Sequence, residues 1–149
     1  VDLEFHVLGA AGSKHNILSA FAEQLRCRIV VYPRLSQQHI IEVLSQAKVF
    51  LFPSFYEGFG MATTESMACG CAVVVTSTGF GEAIRDGVDG FVCNFQDVAM
   101  MTARCSLLLA DDELRLRHVK LGRERVSNLS WPEQVQKLEI LYKKWIHMF

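Results

Sequence analysis

Apolar residues fall in short blocks along the chain, and these blocks alternate with amphipathic stretches of helix length. Leu3 to Leu8 mixes apolar, β-branched and aromatic residues and stops at Gly9. It reads as a strand followed by the loop Gly9-Ala10-Ala11-Gly12-Ser13. Ser13 is placed to cap a helix whose apolar positions are Ile17, Leu18, Phe21 and Leu25. Arg28 to Tyr32 reads as a second strand, stopped by Pro33, and Ser36 opens a helix carrying Ile40, Ile41, Val43, Leu44 and Ala47. The strand Val49–Phe52 ends at Pro53. A glycine loop and a short helix follow, and Gly70 suits the left-handed cap that closes it. Ala72–Thr76 is an apolar run that predicts a strand covered on both faces.

Beyond Thr76 the pattern changes. Gly79 to Arg85 predicts a glycine turn and a short helix, Asp86 to Gly90 a turn, and Phe91-Val92 a short strand. Asn94 is expected to cap a helix from about Phe95 to Leu109, and another runs from near Asp111 to Ser127. Ser130-Trp131-Pro132-Glu133 is a capping box with proline in the first turn. It opens a C-terminal helix with Trp131, Val135, Leu138, Leu141, Tyr142 and Trp145 near one face. Strands alternating with helices predict an α/β fold, a Rossmann-like parallel sheet with flanking helices and right-handed crossovers. No repeat, linker or low-complexity stretch interrupts residues 1–149, so the expectation is one domain. Sheets of this kind bind ligands beyond the C-terminal ends of their strands. That rule gathers the Gly9 loop, Tyr32–Ser36, Ser54–Gly60 and Ser77–Glu82 along one rim.

Composition narrows the function classes. Half of the 149 residues are hydrophobic and 21% are charged, a globular balance large enough to build a core without disulfides. The net charge of −1 gives no general attraction to nucleic acid or anionic membrane. No apolar run reaches the roughly 20 residues of a membrane span, and the N-terminus lacks the pattern of a secretory signal. Five cysteines, an odd number mostly in apolar surroundings, suit free thiols in a reducing cytoplasm. The expected location is the cytoplasm, or the cytoplasmic face of a membrane.

The rim chemistry centres on Glu57-Gly58-Phe59-Gly60-Met61 and the helix that follows. Gly58 and Gly60 let backbone approach a ligand closely, and the helix start aims free N–H groups and a partial positive charge of ~0.5 at that point. Phosphate is the usual occupant of such a site. Glu65 lies inside the helix, eight residues after Glu57, where its carboxylate can accept hydrogen bonds from paired ribose hydroxyls. Glu57 can do the same for a second sugar. A phosphate flanked by two polyols describes a sugar nucleotide. The same residues also fit a tight turn with a solvated loop carboxylate and a solvated helix face. Gly9-Ala10-Ala11-Gly12 is not the dinucleotide fingerprint, and no Gly-Lys-Ser/Thr occurs, which argues against a dehydrogenase or an ATPase.

Pro53-Ser54-Phe55-Tyr56-Glu57-Gly58-Phe59-Gly60-Met61, with Glu65-Ser66-Met67-Ala68-Cys69-Gly70, resembles the signature of retaining GT-B glycosyltransferases. More narrowly it resembles family 4, which contains sucrose synthase and many bacterial mannosyl- and glucosyltransferases. Gly79 with Glu82, Asp86-Gly87 with Gly90-Phe91-Val92, and Ser130-Trp131 extend the match over nearly the whole chain. The resemblance implies the C-terminal, donor-binding half of a GT-B fold. Glu65 would hold the ribose hydroxyls, Glu57 would be the catalytic residue and contact the transferred sugar, and the backbone of Gly58, Phe59, Gly60 and Met61 would meet the sugar and diphosphate. Tyr32, Pro33 and Arg34 would flank the base, and Gly9 would also belong to the donor site. The donor would be a UDP-, GDP- or ADP-sugar, no metal or other cofactor would be needed, and no Asp-x-Asp motif is present. Members also carry an earlier strand, a Gly-Arg pair, a Lys and an N-terminal acceptor domain, and none of these is recognised in this chain. A non-catalytic sugar-nucleotide-binding module and a sugar-nucleotide epimerase-like domain are the alternatives.

The remaining chemistry-bearing residues are read as structural. His6, His15, His39, His118 and His147 are scattered, and Cys69-Gly70-Cys71 is too tight for a metal hook, so both thiols are read as packed. Arg115, Arg117, Lys120, Arg123 and Arg125 are expected on a solvated helix face, with a peripheral membrane contact as the alternative. The apolar tail from Trp145 to Phe149 predicts an exposed patch for dimerisation or domain docking through the last helix.

Overall fold

The computed structural model describes residues 3–9 and 12–146. The chain forms two compact units, Val1–Val43 and Leu44–Phe149. In the first, β1 (Phe5–Val7) pairs in parallel with β2 (Ile29–Val31), in the register Phe5↔Ile29 and Val7↔Val31. In the second, β3 (Val49–Phe52), β4 (Ala72–Thr76) and β5 (Phe91–Cys93) form a parallel sheet with β4 in the centre. The α/β class and the parallel pairing agree with the sequence reading, but the strands make two hydrogen-bonded sheets rather than one.

The second unit is built around β4, every residue of which is buried. Side chains of a strand alternate between faces. Val73 and Val75 therefore enter one core with Met67, Phe80, Ile84 and Val126, while Ala72 and Val74 enter another with Phe91, Cys93, Met101 and Leu108. Burying a valine fully stabilises by roughly 1.5–3 kcal/mol, so the sheet centre is the strongest anchor of the unit. Three helices supply the covering residues: α3 (Met61–Cys69), α4 (Val98–Ala110) and α5 (Asp112–Val126).

The short helix after the glycine loop ends as its sequence predicts. Gly70 has φ 96°, its N–H donates to Met67 O at 3.1 Å, and Cys71 N–H donates to Ser66 O at 2.9 Å, the paired bonds of a Schellman cap. Arg123 from α5 donates to Cys69 O at 3.2 Å, over the same helix end. A Cβ at Gly70 would lie 2.5 Å from that guanidinium, so the glycine serves both the backbone turn and the arginine.

Several expectations are corrected in detail. The helix capped by Ser13, α1 (Lys14–Ser19), is shorter than its apolar spacing suggests. Phe21 leaves the helical path and packs its ring 5.8 Å from Phe5, and a 3₁₀ segment, Glu23–Arg28, takes its place. Asp97 rather than Asn94 caps α4, with its carboxylate accepting from Met100 N–H at 2.9 Å. α2 (Gln37–Gln46) and α6 (Trp131–Ile146) start where the sequence places them.

The basic run on α5 is the expected solvated face only in part: Arg117, Lys120 and Arg123 are exposed, Arg125 is half-buried and Arg115 is buried. Arg115 is buried and donates to Leu108 O and Asp112, Arg123 caps α3, and Arg125 donates to Asp89 at 2.6 Å. Only Arg117 and Lys120 of the five lack such a partner among the described residues, which removes most of the charge that a membrane contact would use. Among the described residues no helix is long and apolar enough to cross a membrane. The apolar face of α6 is open, with Trp131, Val135, Leu138, Leu141, Tyr142 and Trp145 all exposed. Phe149 and His147 lie outside the described residues.

The turn that leads into β5, at the edge of the sheet opposite its C-terminal rim, is densely satisfied. Asp89 is 1% exposed, and its carboxylate accepts from Arg85 N–H, Arg85 Nε and Arg125 Nε at 2.6–2.8 Å. Burial works to raise its pKa, and the hydrogen bonds from Arg125 and Arg85 outweigh that and hold it below the usual carboxylate value. Beside it His118 is fully buried with its ring 4.7 Å from Phe91, and among the described residues neither ring nitrogen makes a hydrogen bond of standard geometry, although the Gly87 backbone lies close. Burial, and after it the charge of Arg117, keep its pKa below the ordinary histidine value, against the nearby Gly87 backbone, Asp89 and Asp86.

Candidate functional site

The loop between β3 and α3 carries four of the residues singled out from the sequence, Glu57 to Gly60, and α3 carries two, Met61 at its start and Glu65. Gly60 is the N-cap of α3 and adopts φ 82°, a left-handed conformation that disfavours any side chain. A capping side chain is thereby absent, so the first amides of α3 stay uncapped. Among the described residues no hydrogen bond is donated by the N–H of Gly58, Phe59, Gly60, Met61 or Ala62. These successive free donors, of which only that of Gly60 belongs to a buried residue, lead onto the positive end of a helix and suit an anion.

The loop is fixed from behind by the segment after β4, which contains a 3₁₀ turn, Gly79–Ala83. Phe80 N–H donates to Phe59 O at 2.6 Å, so the carbonyl of Phe59 is held inward. Two glycines make this contact feasible. A Cβ at Gly79 would lie 2.8 Å from both Glu57 Cβ and Phe59 O, and one at Gly81 only 2.0 Å from Thr76 O. The sequence shows these glycines as a turn, and only the packing shows that they are there to let two backbone segments touch.

The carboxylates differ. Glu57 is half-buried and its Oε1 accepts from Ser54 Oγ at 2.7 Å. Ser54 is held in turn, because its carbonyl accepts from the buried Thr76 hydroxyl at 2.5 Å. Glu65 is exposed on α3 and accepts no hydrogen bond among the described residues. Ser54 enters the sequence reading only as part of the motif and Thr76 only as the end of a strand, neither with a role of its own. The Ser-x-x-Glu spacing is a local signal for the first, and the second is 22 residues away and has none. A second unread feature is an exposed aromatic pair at the rim. Phe55 after β3 and Phe95 after β5 meet edge to face at 5.0 Å, across the end of β4.

Gly9, Tyr32, Pro33 and Arg34 belong to the other unit and are described there. Gly9 has φ 70° just after β1, and Tyr32, Pro33 and Arg34 follow β2. Tyr32 and Pro33 help line a small cleft of about 240 Å³ with Gly12, Lys14 and Val31. The Tyr32 hydroxyl is engaged by His6 Nδ1 at 3.1 Å, and the two rings stack. Ala10 and Ala11, inside the Gly9 loop, lie outside the described residues.

Among the described residues no three His, Cys, Asp or Glu side chains are grouped to hold a metal ion. Of the two thiols read as packed, Cys71 is buried, with its Sγ 3.2 Å from Leu44 O and its pKa pushed up to about 12 by burial, while Cys69 is half-buried, with burial again raising its pKa.

Comparison with known proteins is informative at this point. Residues 1–125 match the model of the family described as Glycosyl transferases group 1. The chain belongs to this family. A D-inositol 3-phosphate glycosyltransferase of Corynebacterium jeikeium is 29% identical over 140 residues, which cover 91% of this chain and 33% of that protein. An alpha-maltose-1-phosphate synthase of Mycobacterium tuberculosis is 33% identical over 136 residues, covering 84% of this chain and 35% of that protein. Sucrose-phosphate synthase from Thermosynechococcus elongatus superposes with a TM-score of 0.80 at 25% identity, over 91% of this chain and 34% of that one. S. aureus TarM, solved with UDP among its ligands, shares the fold at a TM-score of 0.78 and 20% identity, over 97% of this chain and 28% of its own. This group 1 chain therefore spans about a third of the length of the curated relatives it matches. Its structural neighbours are GT-B glycosyltransferases.

Proposed function

We propose that this chain is the donor-binding half of a retaining, family 4 glycosyltransferase. It would hold a nucleoside-diphosphate sugar while a separate N-terminal domain presents the acceptor. The observation that carries the reading is the row of unpartnered amides from Gly58 to Ala62 leading onto the positive end of α3, with a carboxylate on either side. The diphosphate would lie on these amides. Glu65, with a free carboxylate one turn into α3, would take the ribose hydroxyls, and Glu57 would take a hydroxyl of the moving sugar. For Gly9, Tyr32, Pro33 and Arg34 the assignment to the donor, flanking its base, rests on the family resemblance alone.

In this reading the bond from the anomeric carbon to the diphosphate oxygen breaks as the acceptor hydroxyl attacks the same face, the electron pair leaves on the diphosphate, and the hydroxyl proton passes to that leaving diphosphate. The main catalytic task is to stabilise that growing negative charge. Fixed N–H donors do this without reorganising during the reaction. The reading uses no metal. The family membership and the names of relatives that are glycosyltransferases or sugar-phosphate synthases support it. The exposed apolar face of α6 would serve docking of the acceptor domain or of a second copy, and sedimentation of the chain with and without Trp145→Ser tests this.

Calorimetric titration with UDP-glucose, GDP-mannose and ADP-glucose is the decisive experiment. We expect weak but measurable binding of one of them, lost in Glu65→Ala. Three flat titrations would reject a donor site competent in this chain, and turnover of a donor by the chain alone would reject the need for an acceptor domain. Binding without any transfer, once an N-terminal domain is supplied, would favour the non-catalytic module.

A further inference from the structure

The geometry points to Ser54 and Thr76 as positioning residues for Glu57, acting through a hydrogen-bonded chain that fixes one carboxylate oxygen and leaves the other for the sugar. The inference rests on the donor-site reading above. Thr76 is the last residue of β4 and is 3% exposed, so the sheet core determines where its hydroxyl sits. That hydroxyl donates to Ser54 O at 2.5 Å and fixes the peptide group at the end of β3. Ser54 Oγ has two acceptors in reach, Tyr56 O at 3.0 Å and Glu57 Oε1 at 2.7 Å, and its single proton goes to the nearer, charged one in a short, charge-assisted bond. Glu57 is held at its other end as well, since a Cβ at Gly79 would come within 2.8 Å of Glu57 Cβ. A glutamate side chain has three rotatable bonds, and ordering it on binding costs free energy that a pre-set carboxylate avoids. With Oε1 engaged, Oε2 has no partner among the described residues and is the oxygen available to a ligand hydroxyl.

A positioning role predicts selectivity rather than general loss. Glu57 is assigned to the sugar and not to the nucleotide, so damage to its support must fall on the sugar alone. The test titrates the nucleotide sugar that binds in the panel above, and its free nucleoside diphosphate, into the same set of variants. Ser54→Ala is expected to weaken the nucleotide sugar about tenfold while leaving the nucleoside diphosphate within about twofold, the scale of one hydrogen bond to a charged group. Ser54→Thr, which keeps a hydroxyl, is expected to restore binding. Thr76→Val should reproduce the loss and Thr76→Ser should restore it. In a Glu57→Ala background Ser54→Ala should have no further effect, because the coupled partner is gone.

Equal weakening of sugar nucleotide and free diphosphate by Ser54→Ala would make Ser54 a structural residue and overturn the inference. So would a Glu57→Ala variant that loses the sugar-dependent affinity while Ser54→Ala keeps it. Failure of every nucleotide sugar to bind the unaltered chain would remove the donor-site reading, and this inference with it, so the two failures are distinguishable.

Discussion

At the C-terminal rim of the β3–β5 sheet, Glu57 has one carboxylate oxygen engaged and Glu65 has neither, whereas Asp89, at the opposite edge, is closed on all sides. One region follows β3 and the other precedes β5, both touch the buried strand β4, at Thr76 and at Val73, and both contain glycines and carboxylates in loops, so their sequences look alike. They differ in how much bonding capacity folding consumes. Around Asp89 the chain supplies three N–H donors from Arg85 and Arg125, and nothing is left for a ligand. Around Glu57 it supplies one hydroxyl and leaves a run of amides free. A buried, saturated acid reads as architecture, and a partly held acid beside free donors reads as a receptor.

The sharpest way to break this contrast is to remove Asp89. Asp89→Ala takes the acceptor from the half-buried Arg125 guanidinium and from the Arg85 N–H, while the exposed Arg85 side chain turns to solvent, and should cost about 3 kcal/mol of unfolding free energy in urea denaturation. Donor affinity of the remaining folded fraction should be unchanged; a specific loss of affinity would mean that the closed edge also serves the site. Next comes Gly81→Ala. Its Cβ meets Thr76 O at 2.0 Å, so backbone must move, at a cost of about 2 kcal/mol, and the displaced loop should weaken donor binding as well.

A third test uses pH. His118 is neutral when folded, with its pKa below the ordinary 6.5 because of burial, so the unfolded chain binds more protons than the folded one just below that value. Stability should therefore be full above pH 6.5 and fall as pH drops, by about tenfold in the folding equilibrium per unit, until the folded-state pKa is reached. His118→Leu should abolish this component when denaturation curves at pH 7.5 and 5.5 are compared. An unchanged slope would show that the ring is not the proton-linked group. The smallest effect is the most discriminating: Glu65→Ala, at an exposed and unpartnered position, should change stability by less than about 0.5 kcal/mol while removing donor binding.

Much of the second unit was legible in the sequence because its signals are local. Val49–Phe52 and Ala72–Thr76 are apolar runs bounded by turn residues, and Gly70 closes α3 with the backbone conformation expected of it. The first helix was overextended because apolar spacing continues through Phe21 and Leu25, while in the fold Phe21 turns aside to meet Phe5. Contacts that join distant residues left no trace in the pattern. Arg123 reaches Cys69 over 54 positions and Arg125 reaches Asp89 over 36, so part of a run of charges that reads as solvated is tied to distant segments. The residues proposed for the donor were visible as a motif. Their support, Ser54 and Thr76, became visible only when the ends of β3 and β4 were seen side by side.

The complete burial of β4 has a consequence for measurement. Its amides are paired with strands on both sides and covered by core on both faces, so they can exchange with deuterated solvent only when the whole unit unfolds. A ligand that binds only the native state slows that exchange in proportion to 1 + [L]/Kd. The deuteration rate of Val73 and Val74 is thus a built-in gauge of donor affinity, readable by mass spectrometry from residues that the donor need never touch.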